Sequence, residues 1–81
     1  MTERYVATFH THLSALLTGR ALTRLGVEAR LAPVPRKLSA SCGTCVFYAW
    51  DAPCLEQMDE DVEGVYRLEP DGRYLRLLHR E

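Results

Sequence analysis

Short apolar runs alternate with polar punctuation along this chain, and each run has its own period. Tyr5-Val6-Ala7-Thr8-Phe9 is β-branched and aromatic, which predicts a short first strand. Thr11-His12-Leu13-Ser14 carries helix N-cap chemistry. Leu13, Leu16, Leu17, Ala21 and Leu25 then recur at helical spacing as one apolar stripe, with Arg20 and Arg24 on a neighbouring, more exposed face. Gly26 fits the position just past the helix, and Val27 is the apolar contact that commonly follows it. Gly19 inside that helix costs about 1 kcal/mol relative to alanine, so a close packing contact is expected there. Glu28-Ala29-Arg30-Leu31-Ala32 alternates polar and apolar and reads as a second strand, ended by Pro33-Val34-Pro35 because proline removes ladder donors.

After a loop over residues 36–44, Cys45-Val46-Phe47-Tyr48-Ala49-Trp50 is the strongest strand signal, and its continuous apolar character places it in a buried position. Phe47, Tyr48 and Trp50 are assigned to that strand rather than to a ligand box. Asp51 as N-cap and Pro53 just inside predict a second helix reaching Val62, with Leu55, Met58 and Val62 as its apolar stripe. Asp59, Glu60, Asp61 and Glu63 would form its solvated end, opposing the helix dipole. Val65-Tyr66-Arg67-Leu68-Glu69 and Tyr74-Leu75-Arg76-Leu77-Leu78 flank Pro70-Asp71-Gly72-Arg73, which predicts a hairpin. The order is βαββαβ with a C-terminal hairpin strand. This predicts an α+β fold, a two-layer ferredoxin-like sandwich with its helices on one face of the sheet. Without repeats or linkers, residues 1–81 read as one domain.

Composition narrows the classes of function. The 81 residues are 47% hydrophobic and 26% charged, with a formal net charge of −1. That balance argues against a net-basic nucleic-acid binder or a polybasic membrane protein. The charge is nonetheless divided. Residues 1–37 hold six basic and two acidic side chains, whereas residues 38–81 hold four basic and nine acidic ones. Three cysteines, Cys42, Cys45 and Cys54, are an odd number, which argues against a disulfide framework. With a polar start and Val46–Trp50 as the longest apolar run, neither a signal peptide nor a membrane span is expected. A reducing cytoplasm is the expected compartment.

The chemistry concentrates in Pro33-Val34-Pro35-Arg36-Lys37-Leu38-Ser39-Ala40-Ser41-Cys42-Gly43-Thr44-Cys45. Thiols react as thiolates, which cations and convergent backbone N–H groups favour. Arg36 and Lys37 are the nearby cations, Ser39 and Ser41 offer hydrogen bonds, and Gly43 permits a positive-φ turn that brings amides to the sulfur. Read from residues alone, the stretch is either such a thiol site or a surface loop with an incidental cysteine.

The motif resembles the selenium/sulfur carrier protein-like family. The similarity runs from Tyr5-Val6-Ala7-Thr8-Phe9-His10, through the alanine- and leucine-rich helix, into Val27-Glu28-Ala29-Arg30-Leu31-Ala32-Pro33-Val34-Pro35-Arg36. It culminates in Leu38-Ser39-Ala40-Ser41-Cys42-Gly43. The resemblance implies that Cys42 is the carrier thiol, with Arg36, Ser39, Ser41 and Gly43 around it. It implies a small cytoplasmic protein that holds sulfur or selenium as a persulfide-type adduct rather than a stand-alone enzyme. A donor of the cysteine desulfurase kind and an acceptor enzyme are its implied partners.

Two cysteines depart from that pattern. Cys45 completes a CxxC spacing and is a possible resolving thiol, a metal ligand or a small buried hydrophobe. Cys54, expected in the first turn of the second helix, would have its thiol pKa lowered by the dipole. A zinc site would have to draw its remaining ligands from Cys54, His10, His12 and His79, and only the fold could bring them together. The carrier reading calls for no cofactor, no metal, no nucleic acid and no membrane. An exposed sheet edge in so small a domain leaves a homodimer open. The alternatives are a non-catalytic interaction module and a CxxC dithiol or metal-binding protein.

Overall fold

A computed structural model describes residues 2–80. Strand β1 (Glu3–Phe9) leads into helix α1 (His12–Arg24), followed by β2 (Glu28–Pro33), β3 (Thr44–Trp50), a single 3-10 turn (Leu55–Gln57), β4 (Val62–Leu68) and β5 (Tyr74–His79). The strands form one antiparallel sheet in the order β2-β3-β1-β4-β5, so α1 carries the chain from the centre of the sheet to its edge. The fold is α+β, with one helix on a five-stranded sheet.

Helix α1 starts and stops where its capping residues dictate. Thr11 is the N-cap, and its hydroxyl accepts the Ser14 N–H at 3.3 Å. At the other end Gly26 takes φ +87°, with Gly26 N–H bonded to Thr23 O and Val27 N–H to Leu22 O, both at 3.0 Å. That double bond is a Schellman closure.

The face that α1 buries is not the expected one. Ser14, Ala15, Thr18, Gly19 and Leu22 are buried, whereas Leu13, Leu17 and Leu25 of the predicted stripe are exposed. Small residues let the helix lie close to the sheet: a Cβ on Gly19 would stand 3.1 Å from Leu31 Cδ1. Hydroxyl partners then satisfy the polar members of that face. Ser14 Oγ donates to Asp61 Oδ2 at 2.9 Å, and Thr18 Oγ1 accepts the Asp59 N–H at 3.0 Å. A leucine-rich face would have held the helix further off.

The second helix does not form, and the ferredoxin-like βαββαβ order is corrected accordingly. Only the 3-10 turn stands there, entered through Cys54 in the left-handed region (φ +53°). Three local forces oppose a helix. Tyr48 Oη donates to Pro53 O and fixes the chain at its start. The Asp59 carboxylate accepts the Asp61 N–H at 3.1 Å, a turn geometry characteristic of aspartate. Val62, one of the three residues of the proposed stripe, is instead buried in β4 against Phe9. Asp59 therefore closes a turn, Asp61 receives the Thr11 and Ser14 hydroxyls, and Glu63 belongs to β4, so the acids do not form a frayed helix end.

Strand register divides the core into two faces. Leu31, Val46, Ala7 and Val65 lie in one cross-strand row facing α1, beside the row Ala29, Tyr48, Tyr5. Around them Phe9, Leu22, Val27, Cys54 and Val62 complete the main core. The opposite face carries the rows Ala32, Cys45, Thr8, Gly64 and Arg30, Phe47, Val6, Tyr66. Val6, Thr8 and Cys45 are fully buried there although no helix covers them. The 34–43 loop is tied to that side of the sheet at two points, Ser41 on β4 and Lys37 on the β4–β5 turn. Trp50, expected within the buried strand, is exposed at the end of β3.

Candidate functional site

The ends of β1 and β2 and the beginnings of β3 and β4 meet at one rim of the sheet, because Thr8 pairs with Cys45 and Gly64, and Pro33 with Thr44. The 34–43 loop leaves and returns at this rim, its neck closed by Val34 N–H to Gly43 O at 3.1 Å. Leu38, Ala40 and Cys42 are half-buried, while Ser39, Ser41 and Gly43 are exposed. That alternation turns the Cys42 side chain inward without sealing it.

Around the sulfur the geometry is local. Thr44 N–H points at Cys42 Sγ at 3.4 Å, and the Cys42 thiol lies 3.4 Å from Thr44 O. Gly43 sits between them at φ +73°, a conformation that a side chain would strain. The expectation that Gly43 turns an amide onto the sulfur thus has a concrete form, with Thr44 as the donor.

Ser41 anchors the loop. Its backbone N–H donates to Glu63 Oε1 at 3.0 Å and its hydroxyl to Glu63 Oε2 at 3.2 Å. His10 Nδ1 lies 3.3 Å from Ser41 Oγ and 3.9 Å from Glu63 Oε2. Because the Ser41 hydroxyl donates its proton to Glu63, its oxygen can accept from His10 Nδ1. Two residues after Cys42, Thr44 Oγ1 lies 3.3 Å from His12 Nδ1. Two histidines from the β1–α1 junction therefore contact the Cys42 loop and its exit, His10 at Ser41 and His12 at Thr44. His10, named from the sequence as a candidate metal ligand, is a neighbour of the loop. Glu63 and His12 were not assigned to the site. Glu63 is 22 residues from Ser41, and no local pattern signals a pairing made by strand register.

Of the two expected cations, Lys37 lies elsewhere. Lys37 Nζ donates to Gly72 O at 3.2 Å, on the hairpin turn at the opposite end of the sheet from Cys42. Arg36 and Ser39 are exposed. Lys37 therefore ties down the loop instead of facing the sulfur.

The other two thiols are withdrawn from solvent. Cys45 is 0% exposed on β3, its Sγ 3.6 Å from Pro33 O. Burial pushes its thiol up to about 11, only partly offset by Arg30. Cys54 is 5% exposed in the core beneath α1. Burial, and secondarily Glu56, raise its thiol, the reverse of the lowering expected from a helix dipole, because there is no helix to supply one. Among the described residues no three or more His, Cys, Asp or Glu side chains converge to hold a metal ion, and no helix is long and apolar enough to cross a membrane.

A family model described as "Putative Se/S carrier protein-like" matches residues 4–67. No curated protein and no solved structure matches the chain.

Proposed function

The chain belongs to the Se/S carrier protein-like family, and from that premise we propose that Cys42 is the carrier thiol, holding sulfur or selenium as a persulfide-type adduct for delivery to an acceptor. The observation that carries this reading is the difference among the three thiols. Cys45 and Cys54 are buried with raised pKa values, and Cys42 alone is half-exposed on a loop.

Loading is a redox-neutral transfer. The Cys42 thiolate attacks the terminal sulfur of a donor persulfide, a new S–S bond forms at Cys42, and the donor's S–S bond breaks. The donor leaves as a thiolate and takes up the proton released by Cys42. Delivery repeats the step, with the acceptor's nucleophile attacking the terminal sulfur and Cys42 leaving. For selenium the same bonds form and break at selenium. Thr44 N–H supports the negative sulfur in both steps, while Glu63 and His10 hold Ser41, and with it the backbone at Cys42. Arg36 remains an exposed cation on the loop, suited to steering an anionic partner. Cys45 serves the core and does not resolve the adduct. The carrier does not generate the chalcogen, so a donor of the cysteine desulfurase kind charges it in the cytoplasm.

Intact mass spectrometry after incubation with a persulfide donor tests this. The wild-type chain and Cys45→Ser should gain one sulfur atom that reductant removes, and Cys42→Ser should gain none. Undiminished loading of Cys42→Ser would sink the proposal.

A further inference from the structure

The helix-free face of the sheet carries a hollow at the end away from Cys42. Its volume is about 430 Å³, within the range of small-molecule sites. Strand register places it. Ala49 pairs with Arg4 on one side and with Glu28 on the other, and Leu68 pairs with Tyr74. These residues lie two positions along their strands from the row Arg30, Phe47, Val6, Tyr66, so their side chains leave the same face. The Cys42 rim is at the other end of the same strands, where Thr8 pairs with Cys45.

Ala49 makes the hollow, because only a methyl group stands there between long side chains on the two neighbouring strands. Phe47, Leu68 and Tyr74, all half-buried, add to its apolar lining, while Arg4, Arg30 and Glu28 line it as exposed charges. Glu28 does not neutralise the arginines. It stands two strands from Arg4, about 10 Å at ordinary strand spacing, and none of the three makes a salt bridge among the described residues. The Arg30 guanidinium lies instead over the Phe47 ring, 5.1 Å from its centroid. Two guanidinium groups against one carboxylate leave the hollow net cationic over an apolar floor.

We propose that this hollow is a binding site for a small aromatic carboxylate. Arg4 and Arg30 receive the carboxylate, whose two oxygens suit the planar guanidinium fork. The ring lies over Ala49, beside Phe47 and Tyr74, where a flat apolar group replaces water. Glu28 repels the same anion and holds its affinity down. Concave shape and volume select a small molecule, and the charge balance selects an anion. The site stands apart from Cys42, so this inference does not depend on the carrier reading.

Backbone amide shifts of the full-length chain, followed by NMR during titration with naphthoate, provide the test. Shifts should centre on Ala49 and its partners Arg4 and Glu28, with half-saturation below about 1 mM. The neutral isostere naphthamide and the ring-free anion acetate should each bind at least about tenfold more weakly, because each lacks one half of the recognition. Arg4→Gln/Arg30→Gln should weaken naphthoate by about tenfold or more, and Glu28→Gln should tighten it. Both variants change exposed side chains, and an otherwise unchanged spectrum shows that each is folded. Absence of saturable shifts in the wild-type chain would overturn the inference. So would shifts centred elsewhere, equal binding of naphthamide or acetate, or naphthoate affinity indifferent to the arginines. Weaker binding by Glu28→Gln would also overturn it, since the carboxylate would then be helping rather than opposing the ligand.

Discussion

At the scale of single residues, environment separates three cysteines that look alike in sequence. With iodoacetamide at neutral pH, only Cys42 should be modified, and Cys45 and Cys54 should react only when denaturant is added, as peptide mapping would report. Labelling of Cys45 in the native chain would contradict its burial. The raised Cys45 thiol also has a consequence for stability. A thiol whose folded pKa lies above its unfolded value supports the fold below the unfolded value and ceases to do so as pH rises. Unfolding free energy should therefore fall between about pH 9 and about pH 11, and Cys45→Ala should flatten that limb. Glu63 offers a second residue-level test. Its carboxylate receives two hydrogen bonds from Ser41, and bonds to charged groups contribute about 1.5–3 kcal/mol. Glu63→Ala should accelerate hydrogen exchange of the Ser41 amide by about tenfold or more, with the β1 amides unaffected.

At the scale of elements, α1 shows how far the sequence could be read. Its N-cap at Thr11 and its closure at Gly26 and Val27 were legible, because both depend on chemistry within a few residues. The close approach at Gly19 was legible too. Its buried face was not, since leucine spacing marks an amphipathic side but hydroxyl partners arriving from Asp59 and Asp61 decided which side faces the sheet. Leu13→Ser should therefore change unfolding free energy by no more than about 0.5 kcal/mol in a denaturant titration, as for an ordinary surface site. Thr11→Ala should cost about 1 kcal/mol by loss of the cap. Asp61 gives the same end of the helix a pH dependence. The Ser14 hydroxyl first, and Thr11 and His10 after it, hold its carboxyl below the ordinary value of 3.8. A depressed carboxylate stabilises the fold above its unfolded value and loses that contribution as pH falls through the folded one. Asp61→Asn should accordingly weaken the acid limb of the stability profile below about pH 4.

At the scale of the whole molecule, a single helix stands on the face of the sheet to which the sequence reading assigned two. The main core lies under α1, and the opposite face is sealed around Val6, Thr8 and Cys45. Phe9, fully buried where β1, α1 and β4 meet, should be indispensable in so small a core. Phe9→Ala should cost about 3–5 kcal/mol, a large share of what a domain of this size holds, and its thermal transition should weaken or vanish. The Cys42 loop was recognisable from its motif. Its clamp was not, because Glu63 and His10 reach Ser41 only once β1 has paired with β4.

The sequence by itself determined the strands, the caps of α1, the hairpin turn and the cysteine loop, because each follows from alternation, capping or turn chemistry between near neighbours. Only the tertiary structure decided which thiol stays accessible, which face of α1 is left outward, and what holds the loop. Those outcomes depend on burial and on pairings between residues tens of positions apart, such as Thr11 with Asp61, which no local pattern encodes.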